Sequence, residues 1–200
     1  MSAANNVSVE TAMEWPSSEQ LSSADSIVFF QKGVWTTERA AAIDQHLKKG
    51  GGLVYIHWAI EGGKHAPEFA QRIGLASDSS KTEYRHGELD LVFDPKADHP
   101  ITRGFDRLAI LDESYWNLQG DAQRIKTLGT ALESGKSHPQ FWTVEPYAGR
   151  VFVSIPGHYS SSFDDPLFRL LLLRGIAWSL KEPEQRFEEL ALIGVKLTKD

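Results

Sequence analysis

The chain has 200 residues, a net charge of -6, 41% apolar residues, 24% charged residues and no cysteine. This composition is typical of a soluble globular domain, and the lack of cysteine excludes disulfides, thiolate metal sites and cysteine nucleophiles. Lysine and arginine do not gather into a basic face, so we expect neither a nucleic acid nor a membrane as a partner.

The first residues predict little regular structure. Residues 1–6 lack both the basic and the apolar region of a signal peptide, so a cytoplasmic location is the default expectation. A secreted or periplasmic location stays open if the N-terminus is truncated. Alternation over residues 7–10 predicts a short strand. Ser17 followed by Gln20 is a capping-box pattern, which predicts a short helix that ends near Asp25.

A strand, a helix and a second strand follow with short connections. Residues 27–30 are apolar, Thr36 or Thr37 can cap the next helix, and Gly50 ends it. Residues 53–56 form an apolar run that is typical of a strand buried on both faces. This order predicts a βαβ unit with two parallel strands.

The middle of the chain has weaker patterns. We expect a flexible loop over residues 58–65, a helix that begins at Pro67 and ends at Gly74, and a polar loop over 75–87. Residues 88–93 alternate charged and apolar side chains, which predicts a half-exposed strand near a sheet edge.

The second half predicts further strands and one long helix. The strands are expected at 108–111, at 125–132 and in a hairpin of 140–144 with 150–155. The helix, over 167–180, is capped by Asp164 or Asp165, and a short strand is expected at 191–195. The whole indicates one α/β domain over residues 1–200, with its core at 25–180. Because the chain begins with only a weak strand and a short helix, we expect an N-terminal βα unit to be lacking.

Two histidines follow predicted strands directly. His57 comes after the strand at 53–56 and His158 after the strand that ends at residue 155. In open α/β sheets ligands bind beyond the carboxyl ends of strands, so both are candidates for acid–base work or metal binding. The alternatives are a buried histidine satisfied by a backbone carbonyl and a histidine in a surface turn.

Acidic and aromatic residues complete the candidates. Asp112 and Glu113 follow the strand at 108–111, and only one of the two adjacent carboxylates can face a site; a solvated turn is the alternative. Residues 84–88 contain a His-x-Glu spacing but are favoured as a loop. Aromatic side chains near strand ends suit stacking on a sugar ring, although they could equally belong to the core: Trp58, Tyr115, Trp116 and Tyr159.

Several segments, taken in order, resemble the ThuA-like (trehalose-utilisation) family over roughly residues 25–180. They are GGGLVYIH (50–57), HPITRG (99–104), DESYWNL (112–118), GRVF with PGH (149–158) and DPLFR with RGIAW (165–178). The resemblance implies a class I glutamine amidotransferase-like fold, which is a flavodoxin-like three-layer α/β/α sandwich with a mostly parallel central sheet.

The resemblance also implies roles for the two histidines. His57 would occupy the elbow where glutaminases carry their cysteine nucleophile, and His158 would lie near the position of their catalytic histidine. Without cysteine, ammonia release from glutamine through a thioester is excluded. Family members usually begin with a strand and a loop that carries further histidines, and this piece is not visible here.

Two functions follow as hypotheses. In the first, the chain is an enzyme of carbohydrate utilisation, with His57, Glu113 and His158 in acid–base work or binding a divalent metal such as zinc. A small carbohydrate would be the ligand, contacted by Trp58, Tyr115, Trp116 and Tyr159. In the second, the chain is a non-catalytic sugar-binding or interaction module on a degenerate amidotransferase-like scaffold. We also expect that it can form a homo-oligomer, because a truncated sheet leaves an edge to cover.

Overall fold

The computed structural model describes residues 4–194, which fold around a seven-stranded sheet with helices on both faces. The helices are α1 (Ser18–Ser23), α2 (Thr37–Lys48), α3 (Ala66–Ile73) and α4 (Pro166–Ser179). The strands are β1 (Ser26–Phe29), β2 (Gly52–Ile56), β3 (Leu75–Ala76), β4 (Glu83–Phe93), β5 (Arg107–Trp116), β6 (Gln119–Gly120), β7 (Lys126–Glu133), β8 (Lys136–Val144) and β9 (Arg150–Ser154).

The large sheet is mixed, which corrects the expectation of a mostly parallel sheet. Its order is β1-β2-β9-β8-β7-β4-β5, and only the β1–β2 and β2–β9 pairs are parallel. The βαβ prediction is confirmed, because α2 provides the crossover that parallel neighbours require. The β7–β8 and β8–β9 connections are short turns, and such turns join antiparallel strands.

The helix boundaries follow the capping signals in the sequence. The capping box of Ser17 and Gln20 begins α1, and the Thr36 hydroxyl accepts from a backbone amide at the start of α2. Asp165 accepts from two amides at the start of α4, where Pro166 takes the first helical position. Each polar side chain satisfies amides that a helix leaves unpaired at its N-terminus.

Two apolar cores lie on opposite faces of the sheet. On one face, α2 and α3 cover side chains of β2 and β9 such as Tyr55 and Val153. On the other face, α4 covers Val54 and Phe152 of the same two strands. Strand β2 is buried along its whole length, as its unbroken apolar run predicts, because it has helices above and below it.

Four local expectations are wrong. Residues 7–10 form no strand, and residues 58–65 contain two 3-10 turns instead of a flexible loop. The predicted loop at 75–87 contains β3 and the first residues of β4. Residues 184–192 form a 3-10 segment where a strand at 191–195 was expected, and residue 195 lies outside the described residues. No helix within residues 4–194 is long and apolar enough to cross a membrane.

His99, in the HPITRG segment, makes stability depend on pH. Its Nδ1 accepts from the Ile101 amide at 3.3 Å, and its ring lies against Trp178. Burial, with smaller contributions from Lys126 and Arg150, lowers the pKa of His99 from 6.5 to about 4. The unfolded chain therefore takes up the proton first as the pH falls, and stability that is complete above pH 6.5 is lost progressively towards pH 4.

We expect His99→Asn to remove this dependence, since an asparagine oxygen can still accept from the Ile101 amide. Between about pH 7 and about pH 4.5, the wild type should lose about 2 kcal/mol more unfolding free energy than the variant. Urea denaturation of both proteins at the two pH values measures the difference. Equal losses in the two proteins would contradict a buried neutral His99.

Candidate functional site

His57 lies at a sharp turn where β2 ends. Its backbone has a φ of 57°, in the left-handed region that residues other than glycine rarely adopt. A 3-10 turn begins at this residue and continues to Ile60, and the side chain is only 4% exposed. Such backbone strain persists where the surrounding structure holds it, which is common at functional sites.

The two ring nitrogens of His57 have different partners. Nδ1 lies 3.0 Å from the Ile155 carbonyl, and because a carbonyl only accepts, Nδ1 carries the proton. Burial lowers the pKa of His57, although the bond to Ile155 opposes the shift. The neutral ring therefore has its free lone pair on Nε2. The sequence also allowed a buried histidine that is satisfied by a backbone carbonyl. That description fits Nδ1 but leaves Nε2 unexplained.

The side chains of Glu113 and His158 lie close to His57 Nε2. His57 Nε2 lies 3.3 Å from Glu113 Oε2 and 3.0 Å from His158 Nδ1. His158 Nδ1 lies 2.9 Å from the same Glu113 oxygen. The structure therefore brings the three predicted catalytic residues into one cluster, although they come from the turn after β2, from β5 and from the segment after β9.

Glu113 is a strand residue, since β5 continues to Trp116 instead of ending at Leu111. Burial raises the pKa of Glu113, and the nearby rings of His86 and His158 oppose that shift. Its carboxylate lies between histidines on two sides: Oε2 faces His57 and His158, and Oε1 lies 3.5 Å from His86 Nε2.

The Asp112 side chain does not belong to the cluster but binds backbone amides next to it. Its Oδ1 accepts from the amides of Glu113, Gly157 and His158 at 2.7, 3.0 and 2.9 Å. The Ser162 hydroxyl donates to its other oxygen. Asp112 is fully buried and thus ties the segment that carries His158 to β5. The two adjacent carboxylates do have different surroundings, as their alternation along a strand predicts.

His86 is the histidine that sequence reasoning missed. It was assigned to a loop, but it lies on β4 directly opposite Glu113 in the antiparallel register. Its Nδ1 is 3.1 Å from the Tyr159 hydroxyl, and its ring is 4.8 Å from that of His158. The alternation seen at 88–93 could have indicated it, because the same strand extends back to Glu83.

The predicted aromatic residues divide into two groups. The Tyr115 hydroxyl donates to His57 Nε2 at 3.2 Å, and the ring of Tyr159 packs against His158. Trp58 is 44% exposed and lies beside the cluster. Trp116 instead donates its Nε1 to Glu83 at 3.0 Å and lines a separate cavity with His138.

An open cavity of about 170 Å³ adjoins the cluster. Glu113 and Tyr115 form part of its wall, so the histidine cluster and the cavity share a surface. Sequence reasoning did not single out Glu61, which also lines the cavity and directly follows the turn of His57–Ile60. The lining includes Lys32, Trp58, Glu61, Tyr84, Glu113 and Tyr115.

The cluster is suited to hold a divalent metal ion. His57 Nε2, His158 Nδ1 and Glu113 Oε2 can each offer a lone pair, and lone pairs this close repel unless a proton or a cation lies between them. Two ligand atoms in a tetrahedral zinc site, each bound at about 2.1 Å, lie roughly 3.4 Å apart. The separations of 2.9 to 3.3 Å are close to that value.

Comparisons with known proteins agree with this fold. A family model described as ThuA, trehalose utilisation, matches residues 1–179. No curated protein matches the chain.

Solved structures of similar shape include two ThuA-like proteins. One, from Parabacteroides merdae, has a TM-score of 0.68 and 24% identity over 90% of this chain and 75% of that chain. Another, from Bacteroides uniformis, has a TM-score of 0.60 and 17% identity over 83% of this chain and 75% of that chain. A β-galactosidase from Bacillus circulans has a TM-score of 0.58 and 15% identity, over 92% of this chain and 25% of that chain. At these identities, the likeness shows the fold alone.

Proposed function

The chain belongs to the ThuA (trehalose utilisation) family, and from this premise we propose that it is an enzyme that acts on a sugar or keto-sugar derivative. A carbohydrate-related role follows from the family. The convergence of His57 Nε2, His158 Nδ1 and Glu113 Oε2 within 3.3 Å of one another, beside an open cavity, supports catalysis by this chain.

In this proposal, His57, His158 and Glu113 hold a divalent metal such as zinc. When bound, a metal of this kind supplies Lewis-acid polarisation of a substrate oxygen. Residues of the protein orient the metal ligands and donate protons. The Ile155 carbonyl fixes the tautomer of His57, as partners of metal-binding histidines commonly do. The Tyr115 hydroxyl, which donates to His57 Nε2 in this structure, would release that lone pair to the metal and could then donate to a substrate oxygen.

Acid–base work without a metal is the second arrangement that the distances favour. His158 Nδ1 can carry a proton and donate it to Glu113 Oε2 across 2.9 Å. In that case His158 is the group that exchanges a proton with substrate, because its side chain is 39% exposed while that of Glu113 is 7% exposed. A zinc titration separates the two arrangements.

We further infer that the fold is amidotransferase-like and that its elbow has been altered. The left-handed backbone of His57 at the end of β2 supports this inference, because a nucleophile elbow holds its residue on a strained strand-to-helix turn. Gly157 supports it as well: a side chain there would meet Ile56 at 2.7 Å, so the His158 segment packs closely on the same turn. Without cysteine, glutaminase activity is not expected.

Turnover of candidate sugars tests the proposal. We expect the zinc-loaded wild type to convert trehalose or its keto derivative, and both His57→Asn and His158→Ala to lower kcat by about 100-fold or more. Product is measured by chromatography.

Unchanged turnover in both variants would overturn the proposal. A thermal-shift screen with sugars, zinc and manganese identifies the alternative. Stabilisation by a sugar, without metal dependence and without product, would favour a non-catalytic binding module.

A further inference from the structure

We propose that the cavity beside the histidine cluster binds one sugar ring and that Glu61 accepts hydrogen bonds from its hydroxyl groups. This inference rests on the proposed carbohydrate function and assigns a binding subsite within it. Glu61 is 9% exposed and follows directly after the turn that begins at His57.

The surroundings of Glu61 leave part of its carboxylate for a ligand. Ser77 Oγ donates to Oε2 at 2.7 Å, and the Ser79 amide donates to Oε1 at 3.2 Å. A carboxylate can accept about four hydrogen bonds, and these two donors are neutral. A buried carboxylate is costly unless donors satisfy it. Since Glu61 lines the cavity, a ligand there can supply the remaining donors.

The rest of the lining fits a hydroxylated ring. Lys32 also lines the cavity, and a hydroxyl group can both accept from an ammonium and donate to a carboxylate. Trp58 and Tyr84 are 44% and 61% exposed, so their rings are available to pack on an apolar ring face.

The size of the cavity limits the ligand. Its volume of about 170 Å³ is below the roughly 300–1,000 Å³ of pockets that enclose drug-sized ligands. One ring fits inside, and a second ring of a disaccharide would extend through the open mouth. The bound ring would contact Tyr115, which donates to His57. The sugar-binding subsite would therefore lie directly beside the histidine cluster.

Isothermal titration calorimetry with D-glucose, D-galactose and trehalose tests the subsite. We expect at least one of them to bind the wild type and Glu61→Gln to weaken that binding about 10-fold or more, because the bonds lost are charge-assisted. The glutamine oxygen can still accept from the Ser79 amide, while its NH2 group donates to the Ser77 hydroxyl, which keeps Thr82 as an acceptor, so the fold is kept. Glu145→Gln is the matched control, since Glu145 is exposed and lies beside Arg150 at the opposite end of β9.

Deoxy sugars give a second measurement. Of the monodeoxy forms of whichever sugar binds, one should bind the wild type about 10-fold more weakly than the parent sugar, and this penalty should shrink in Glu61→Gln. Such coupling arises only if the missing hydroxyl contacts Glu61.

The outcomes separate this inference from the proposed function. The subsite is overturned if no sugar binds, or if Glu61→Gln binds sugar as the wild type does. Zinc binding or turnover that persists in either case leaves the catalytic proposal standing. Conversely, Glu61-dependent sugar binding without turnover supports the subsite and contradicts the catalytic proposal.

Discussion

Replacing Asp112 by alanine is expected to lower the free energy of unfolding by about 3 kcal/mol and to displace His158. The substitution leaves three backbone amides and the Ser162 hydroxyl without their acceptor at a fully buried position. Each unsatisfied buried donor costs roughly 1–3 kcal/mol, reduced where water can enter. Urea denaturation followed by circular dichroism measures the loss.

Two variants calibrate the effect of Asp112. Asp112→Asn keeps one strong acceptor oxygen, so we expect a loss of about 1–2 kcal/mol. Asp90→Ala removes an exposed carboxylate on the neighbouring strand β4, where solvent screens its ion pair with Arg107, so the unfolding free energy should change little. If Asp112→Ala is as stable as Asp90→Ala, then Asp112 does not hold the His158 segment.

Replacing His57 by asparagine is expected to weaken zinc binding by about 100-fold or more. Loss of an outer partner of a metal ligand alone costs roughly 10- to 100-fold, and His57 would be a direct ligand. Asparagine is chosen because it tolerates the left-handed backbone that this position requires. Competition with a zinc-sensitive dye measures the affinity.

His65→Asn is the control for a general effect of losing a histidine. His65 is 45% exposed and lies beside Glu68, outside the cluster of His57, Glu113 and His158. The His65→Asn variant should bind zinc with an affinity within about 2-fold of that of the wild type. The metal site is refuted if His57→Asn and His65→Asn bind zinc equally well.

Much of the local structure could be predicted. The caps at Ser17, Thr36 and Asp165 begin helices as expected, because they act on amides within a few residues. The buried character of β2 was also readable, since an unbroken apolar run needs cover on both faces. These features depend on neighbours in sequence.

The directions of the strands were predicted only in part. The parallel pair of β1 and β2 follows from the helix between them. The hairpin predicted at 140–144 with 150–155 is confirmed by the antiparallel pair of β8 and β9. The antiparallel pairs of β4 with β5 and β7 were not anticipated, because the predicted strand at 88–93 is short and the strand in fact begins at Glu83. This error also hid His86, whose importance comes from its register opposite Glu113.

The sequence alone determined the ThuA resemblance, the lack of a cysteine nucleophile and the candidates His57, Glu113 and His158, because motifs and strand ends are local properties. Only the tertiary structure decided that these three side chains meet, that Asp112 anchors the His158 segment, and that Glu61 and His86 lie beside them. The physical reason is that such contacts join residues far apart in the chain. Strand register, backbone strain at His57 and the packing of the sheet set those distances, and none of these can be derived from local propensity.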